Sequence, residues 1–584
     1  MVRKTATKKA KPKSKIKTKT KTKITKDKTK SSVTKNYKHP KPGELIELKL
    51  AEFLKVYDSV LAKKDFVEAE RMLSTLQGLK KWQNLNLRSI LEYRKGNETL
   101  AEDLMRQALR EPDCKPTVNR NLAGLLINQG RMSEAMPFAK LSYENEKTDS
   151  KSIQLYMNCL LDLGKADEVL KITGPALKHH PDDKVILVSH ASALRSVMRN
   201  EEADIEIKKL IEKFPDEPVV HRLQADLLGD TDSVAAVPFY EAAVKLSIEK
   251  RGVPDPAVQW NMSLHLLRIR RLEYGWECWE QGFSPIVGTM GRNLPARIKK
   301  LTRVDKDENC AIDKNKWTLV VTEQGIGDQV LFMNCMREAI EEFGKIILIT
   351  EKRFAPILER SFPEIQIAYS GITYDWENTK SLQKNGYIPL GSIPRRYRKK
   401  VEDYEGKKGP FLVANRSLYE KYGAELKKLA KGRPVIGISW KGGYWAIQRK
   451  TKALEIENWE PIFKKNALYV NLQYGDINTE LKYLRDKGHE LVVFPKLNFK
   501  VHLDEWLALA GACDGIISVS TALVHFAGAI GQKVAIVMPE PSGPWHLGIN
   551  DTESMIYKNV RIYRRKKEEK LEELINRVAS IIVT

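Results

Sequence analysis

The sequence predicts an all-α helical-repeat solenoid followed by an α/β part made of two doubly wound lobes. Three observations predict it. Ala101, Ala135, Val169, Ala203 and Val237 recur at intervals of 34 residues in a helical text. Two later stretches, one from Trp317 to Gln329 and one from Gly515 to Gly531, each run an apolar strand into a small-residue turn and then a helical pattern. Around each stretch, continuous apolar strands alternate with helices, the pattern of parallel sheets buried on both faces.

Length and charge set the frame. The 584 residues exceed one hydrophobic core and imply about three domains. Of the net charge of +24, residues 1–42 carry +16, with 17 Lys or Arg against Asp27 alone. The remaining body carries +8. The Lys-Thr alternation of that tail buries nothing, so residues 1–42 read as a basic disordered tail. It serves as a solubilising extension, or it contacts an anionic membrane face or nucleic acid through phosphates. It lacks a secretory h-region and the amphipathic period of a transit peptide. No apolar run is long enough to span a bilayer. The six cysteines form no CxxC pair and read as small buried hydrophobes of a reducing compartment. A cytoplasmic setting is expected, with peripheral contact at the inner membrane face through the tail.

Residues 45–285 form the repeat region. Gly130-Arg131-Met132-Ser133-Glu134-Ala135 recurs as Gly164-Lys165-Ala166-Asp167-Glu168-Val169, and loosely as Met198-Arg199-Asn200-Glu201-Glu202-Ala203. The small residue lets two helices approach, and the Gly or Asn sits in the turn between them. Pro181 and Pro215 share the period, each closing a helix. A 34-residue period of paired helices resembles the tetratricopeptide repeat. Stacked repeats offer a concave face for an extended protein segment, or act as a spacer or oligomerisation surface. The aromatic last unit, Trp260 to Trp276, is expected to pack on the next domain. Residues 286–316 read as a linker, in which Asp305-Lys306-Asp307 matches a D-x-D metal motif by letters only.

Residues 317–430 and 431–584 give the two lobes. Strands are expected at Leu319–Thr322, Lys345–Thr350, Ile365–Ala368 and near Tyr387, then at Pro434–Trp440, Leu468–Gln473, Leu491–Phe494, Ile516–Val519 and Val534–Met538. A final helix, Glu568–Ile582, is expected to brace both lobes.

Five motifs in order carry a resemblance: Glu323-Gln324-Gly325-Ile326-Gly327-Asp328, Pro389–Pro394, Ile436–Gly442, Asn471–Asp476 and Val519–Gly531. Over about 317–565 the chain resembles a glycosyltransferase of the family-9, heptosyltransferase type, with the two-lobed GT-B fold. The O-linked N-acetylglucosamine transferases share the order of repeats before a GT-B unit but match these motifs less well. The resemblance implies hexosyl or heptosyl transfer from a nucleotide-sugar donor to a protein or glycan acceptor, inverting, metal-independent and without a cofactor.

Such transfer needs a base for the acceptor hydroxyl and stabilisation of the leaving diphosphate. Asp328 is the candidate base, with N-capping of the following helix as its structural alternative. Glu323 is a second candidate base. Gln324, Gly325 and Gly327 line the acceptor side by resemblance. Ser520, Thr521 and Ala522 open a helix whose N–H groups suit a diphosphate. His525 lies one turn in on the same face and, by resemblance, near the phosphates. Lys441, Lys450 and Lys452 are the candidate cations, and Gln473 a contact to base or ribose. Two departures touch the donor side: the family's Val-Asp-Thr is Val519-Ser520-Thr521 here, and its Trp-Arg-Trp is Pro544-Trp545-His546. A non-catalytic scaffold with a degenerate transferase-like domain is the alternative.

Overall fold

The computed structural model describes residues 47–76, 78–295, 298–305, 312–370, 383–442, 454–540 and 543–583. The chain divides into two compact units, ending and beginning at Glu146 and Lys147.

The described part of the first unit is a run of six helices, from Glu47–Ala62 to Met132–Asn145. Successive helices pack on each other as hairpins. The second unit opens with eight more, from Ser150–Asp162 to Leu272–Trp279. The periodic small residues do the work expected of them: Ala101, Ala135, Val169, Ala203 and Val237 are all buried near the starts of second helices. Gly96, Gly130 and Gly164 take left-handed backbone angles at the preceding turns. In the next repeat that position is Met198, φ +65°, whereas Asn200 already lies in the helix. Aspartates cap several helices: Asp149, Asp183 and Asp255 each accept from backbone N–H groups of the first turn.

The α/β part of the second unit holds two parallel sheets. The first comprises β1 (Trp317–Val321), β2 (Ile346–Thr350), β3 (Gln366–Tyr369) and β4 (Lys384–Pro389), in the order β3-β2-β1-β4. The second comprises β5 (Val435–Ser439), β6 (Leu468–Asn471), β7 (Leu491–Val492), β8 (Gly515–Val519), β9 (Val534–Met538) and β10 (Val560–Arg564), in the order β7-β6-β5-β8-β9-β10. Every pairing between these strands is parallel. Continuous burial of β2, β5 and β9 explains their uninterrupted apolar sequences. Each sheet reverses direction next to its first strand, between β1 and β4 and between β5 and β8. Such switch points open a crevice at the carboxyl ends of the strands.

Three expectations change. The segment read as a linker is built into the first sheet: Val304 N donates to Tyr387 O at 3.0 Å and Tyr387 N to Thr302 O at 2.9 Å. Arg292 and Asp305 within it are buried and Arg303 is half-buried, with Arg292 paired to Glu280 and Glu323 and Arg303 to Glu280 and Asp305. The Arg416–Ala430 helix, placed by sequence at the end of the first lobe, packs on Leu503–Gly511 of the second. The final helix, Leu571–Ala579, buries Leu574, Ile575 and Val578 in the core of the second sheet. No brace to the first sheet is seen among the described residues.

The last helical unit packs on the α/β part as its aromatics suggest. Trp276 Nε1 donates to Arg398 O and Trp279 Nε1 to Gly391 O, both at 2.9 Å. Both indoles also meet Phe332 edge-on. Among the described residues, no helix is long and apolar enough to cross a membrane. Cys159, Cys278, Cys335 and Cys513 are buried and unpaired.

Candidate functional site

The turn after β1 begins with Thr322, whose hydroxyl donates to Ile349 O at 3.0 Å. Glu323 follows and is buried, its side chain 1% exposed. Its Oε1 accepts from Arg292 Nη2 at 2.6 Å, Arg292 Nε at 3.1 Å and Gly391 N at 3.1 Å. Burial pushes the carboxyl up, against the pull of Arg292. Arg292 also holds Glu280 at 3.0 Å and Ser392 Oγ at 2.8 Å, and stacks over Phe283 at 4.1 Å. Arg303 joins Glu280, Asp305 and the same Ser392 hydroxyl. The burial of Glu280 is outweighed by these two arginines, which hold its carboxyl low. This buried charge cluster ties the β1 exit turn to the β4 exit loop, the two sides of the first switch point. Asp305 is one of its ion pairs. Among the described residues, no group of three or more His, Cys, Asp or Glu is placed to hold a metal.

Gln324 is half-buried, and its carbonyl accepts from Gln329 Nε2 at 2.9 Å. Gln329, unremarked in the sequence, thus closes the turn. Gly325 is the N-cap of the Ile326–Phe332 helix. The capping role considered for Asp328 therefore falls: Asp328 is the third helical residue, exposed, with its charge at the favourable end of the helix dipole. Gly327 faces the second lobe. A Cβ added there would lie 3.2 Å from Ala522 Cα and 3.2 Å from the His525 ring. The Ile326–Phe332 helix thus packs directly on Ala522–Ala529.

The turn after β8 is Ser520-Thr521. Thr521 is the N-cap and makes no side-chain cap bond, so the first N–H groups of this helix are uncapped by it. Ser520 and Ala522 are half-exposed at that end. His525 lies deeper and is buried, its Nδ1 3.1 Å from the Tyr557 hydroxyl. Burial lowers it to about 4, so it is neutral at ordinary pH. Burial raises the Tyr557 phenol well above its ordinary value, and the charge of Asp328 adds to this. Asp328 is therefore close enough to the second-lobe pair for its charge to be felt there. Gly528 is needed under the same phenol, since a Cβ would lie 2.6 Å from the Tyr557 ring. Gly531, φ +81°, ends the helix.

Two other predicted donor residues are engaged elsewhere. Gln473 is buried after β6, and its Oε1 accepts from Ser439 Oγ, Trp440 N and Lys441 N at 2.9 to 3.1 Å. It fixes the β5 exit loop. Lys441 Nζ reaches Asp476 O at 3.0 Å and pairs with Glu480. It borders a pocket of about 210 Å³ lined also by Glu455, Glu457 and Asp476, whose carboxylates repel a diphosphate. Lys450 and Lys452 lie outside the described residues, as does the tail.

No family profile matches the chain. It is 26% identical over 396 residues to Protein FlbA of Caulobacter vibrioides, covering 64% of this chain and 63% of that protein. The chain thus spans less than two thirds of the length of this curated relative. Among solved structures, a tetratricopeptide repeat protein from Parabacteroides merdae aligns with a TM-score of 0.31 at 15% identity, over 40% of this chain and 90% of its own. A thermophilic tetratricopeptide-repeat protein of Thermus thermophilus aligns with a TM-score of 0.27 at 16% identity, over 32% of this chain and 99% of its own.

Proposed function

We propose that the α/β part is a glycosyltransferase that moves a sugar from a nucleotide-sugar donor to a protein or glycan acceptor, with the helical repeats selecting the acceptor. The observation that carries this reading is the meeting of the two exit turns. Gly327, next to the exposed Asp328, packs against the helix that Thr521 opens. A carboxylate on one wall and helix-start amides on the other are what inverting transfer needs.

In this reading Asp328 takes the proton of the acceptor hydroxyl as its oxygen attacks the anomeric carbon. The bond from that carbon to the diphosphate breaks, and the nucleoside diphosphate leaves with the electron pair. The amides of residues 521–523 and the helix dipole stabilise its charge. Lys450 and Lys452 are the proposed cations. Glu323 becomes a brace for the turn, since its buried carboxylate is held through Oε1 by Arg292 and the Gly391 amide. Metal independence rests on the family resemblance.

A second reading, a scaffold with a transferase-like domain that does not turn over, draws on the pairing of Lys441 with Glu480 and on Ser520 in place of the family's acid. Purified protein offered a panel of nucleotide sugars separates the two. Hydrolysis or transfer with at least one donor supports the enzyme. Binding of donors without turnover of any supports the scaffold.

A further inference from the structure

Arg270 lies in the turn between the last two repeat helices, Pro256–Arg268 and Leu272–Trp279, with φ +69°. Earlier turns of this kind use Gly130 and Gly164, and in one repeat Met198, whose side chain is half-exposed. A left-handed backbone strains any residue with a Cβ, so an arginine here calls for a reason in its side chain.

The side chain reaches the loop that follows β9. Arg270 Nη1 donates to Trp545 O and Nη2 to His546 O, both at 3.3 Å, and the guanidinium pairs with Asp551. Arg564, at the end of β10, donates to the next two carbonyls, Leu547 O at 2.9 Å and Gly548 O at 3.2 Å. Two guanidiniums thus hold four consecutive carbonyls around the short Trp545–Leu547 helical turn, of which Trp545 O also accepts from Gly548 N at 3.2 Å. Gly548 takes a left-handed backbone angle, φ +63°, with the Asp551 carboxylate against it. Trp545 meets Trp276 of the last repeat edge-on at 5.2 Å. The neighbouring His546 meets His525 at 4.7 Å. Because β9 lies beside β8, this loop flanks the turn at 520–522.

We propose that Arg270 is a positioning residue of the donor site: through it the last repeat sets the β9 exit loop against the helix that Thr521 opens. The inference rests on the glycosyltransferase reading for its ligand, and on the loop geometry for its mechanism.

The full chain carrying Arg270→Gly is compared with the unaltered chain and with Met198→Gly, which relieves the same backbone strain far from the loop. Hydrogen exchange of residues 543–551 and calorimetric binding of UDP, GDP, ADP, CDP and dTDP are measured on each. Arg270→Gly is expected to speed exchange in 543–551 by about tenfold or more. It is also expected to weaken the diphosphate that binds by about tenfold, while Met198→Gly changes neither. Arg270→Asn, which tolerates the left-handed turn, must behave as Arg270→Gly does. Unchanged exchange in both variants overturns the proposal, as does faster exchange with undiminished diphosphate binding. If the unaltered chain binds none of the diphosphates, the glycosyltransferase reading falls, and the exchange comparison alone decides whether Arg270 sets the loop.

Discussion

The turns that follow β1 and β8 each border the switch point of their own sheet, from opposite sides, and are built in opposite ways. The β1 turn is held from behind by buried charge, with Arg292 clamping Glu323 and the Gly391 amide closing the bond. In front it presents an exposed carboxylate, Asp328. The β8 turn is held by apolar burial, from Leu523 through Ala529, with a neutral His525 and no acid. In front it presents helix-start amides. In the proposed transferase reading, the first accepts a proton and the second holds negative charge. A charge clamp fixes a turn without filling the crevice, whereas a close-packed helix places its own first amides at the crevice edge.

This contrast can be broken on the charged side first. Arg292→Met leaves the Glu323 carboxylate buried without its cation. It is expected to cost about 3–5 kcal/mol in denaturant unfolding. Adding Glu323→Gln removes the stranded charge and should recover at least half of that loss. A single variant as stable as the unaltered chain would mean that the clamp does not hold the turn.

The apolar side answers to pH. His525 has an ordinary value of 6.5 when unfolded and about 4 when folded, so the unfolded chain binds the proton first. Its contribution is nil above about pH 6.5, and stability is lost as pH falls from there towards 4, by on the order of 3 kcal/mol. His265, lowered to about 3 by burial, adds a loss of its own over the same range and below. Unfolding free energies of the unaltered chain and His525→Gln, measured near neutral pH and near pH 4.5, should therefore converge on acidification. Parallel pH profiles would show that His525 is not buried neutral.

The smallest effect sharpens the comparison between repeat turns. Met198 holds a left-handed angle where Gly130 and Gly164 do so freely, and its side chain is half-exposed. Met198→Gly should stabilise by about 0.5–1 kcal/mol. A loss of that size in thermal unfolding would show that the methionine packs usefully.

The fold was legible wherever a residue's environment is set by its neighbours in sequence. Continuous apolar runs gave nine of the strands because both faces of a parallel sheet are buried. β10 is not legible in this way because Arg561 separates Val560 from Ile562 and Arg564 closes the strand, so the text reads as charged and solvated. The same reasoning failed for Arg292, Arg303 and Asp305. Charge suggests solvent until a partner distant in sequence is known, and here the partners are Glu280, Glu323 and Ser392. Motif spacing located Asp328 and Thr521 at the two switch points. It could not reveal that the Gln473 amide is consumed by the β5 exit loop or that Lys441 is paired with Glu480, because nothing local encodes those contacts.

The most direct test of the account is sugar transfer by the unaltered chain and by Asp328→Asn, with calorimetry of the released nucleoside diphosphate on both. The substitution is expected to lower turnover by about a thousandfold while diphosphate affinity stays within about twofold. Turnover that survives the substitution, or diphosphate binding that disappears with it, would contradict a site with its base on one wall and its anion-holding amides on the other.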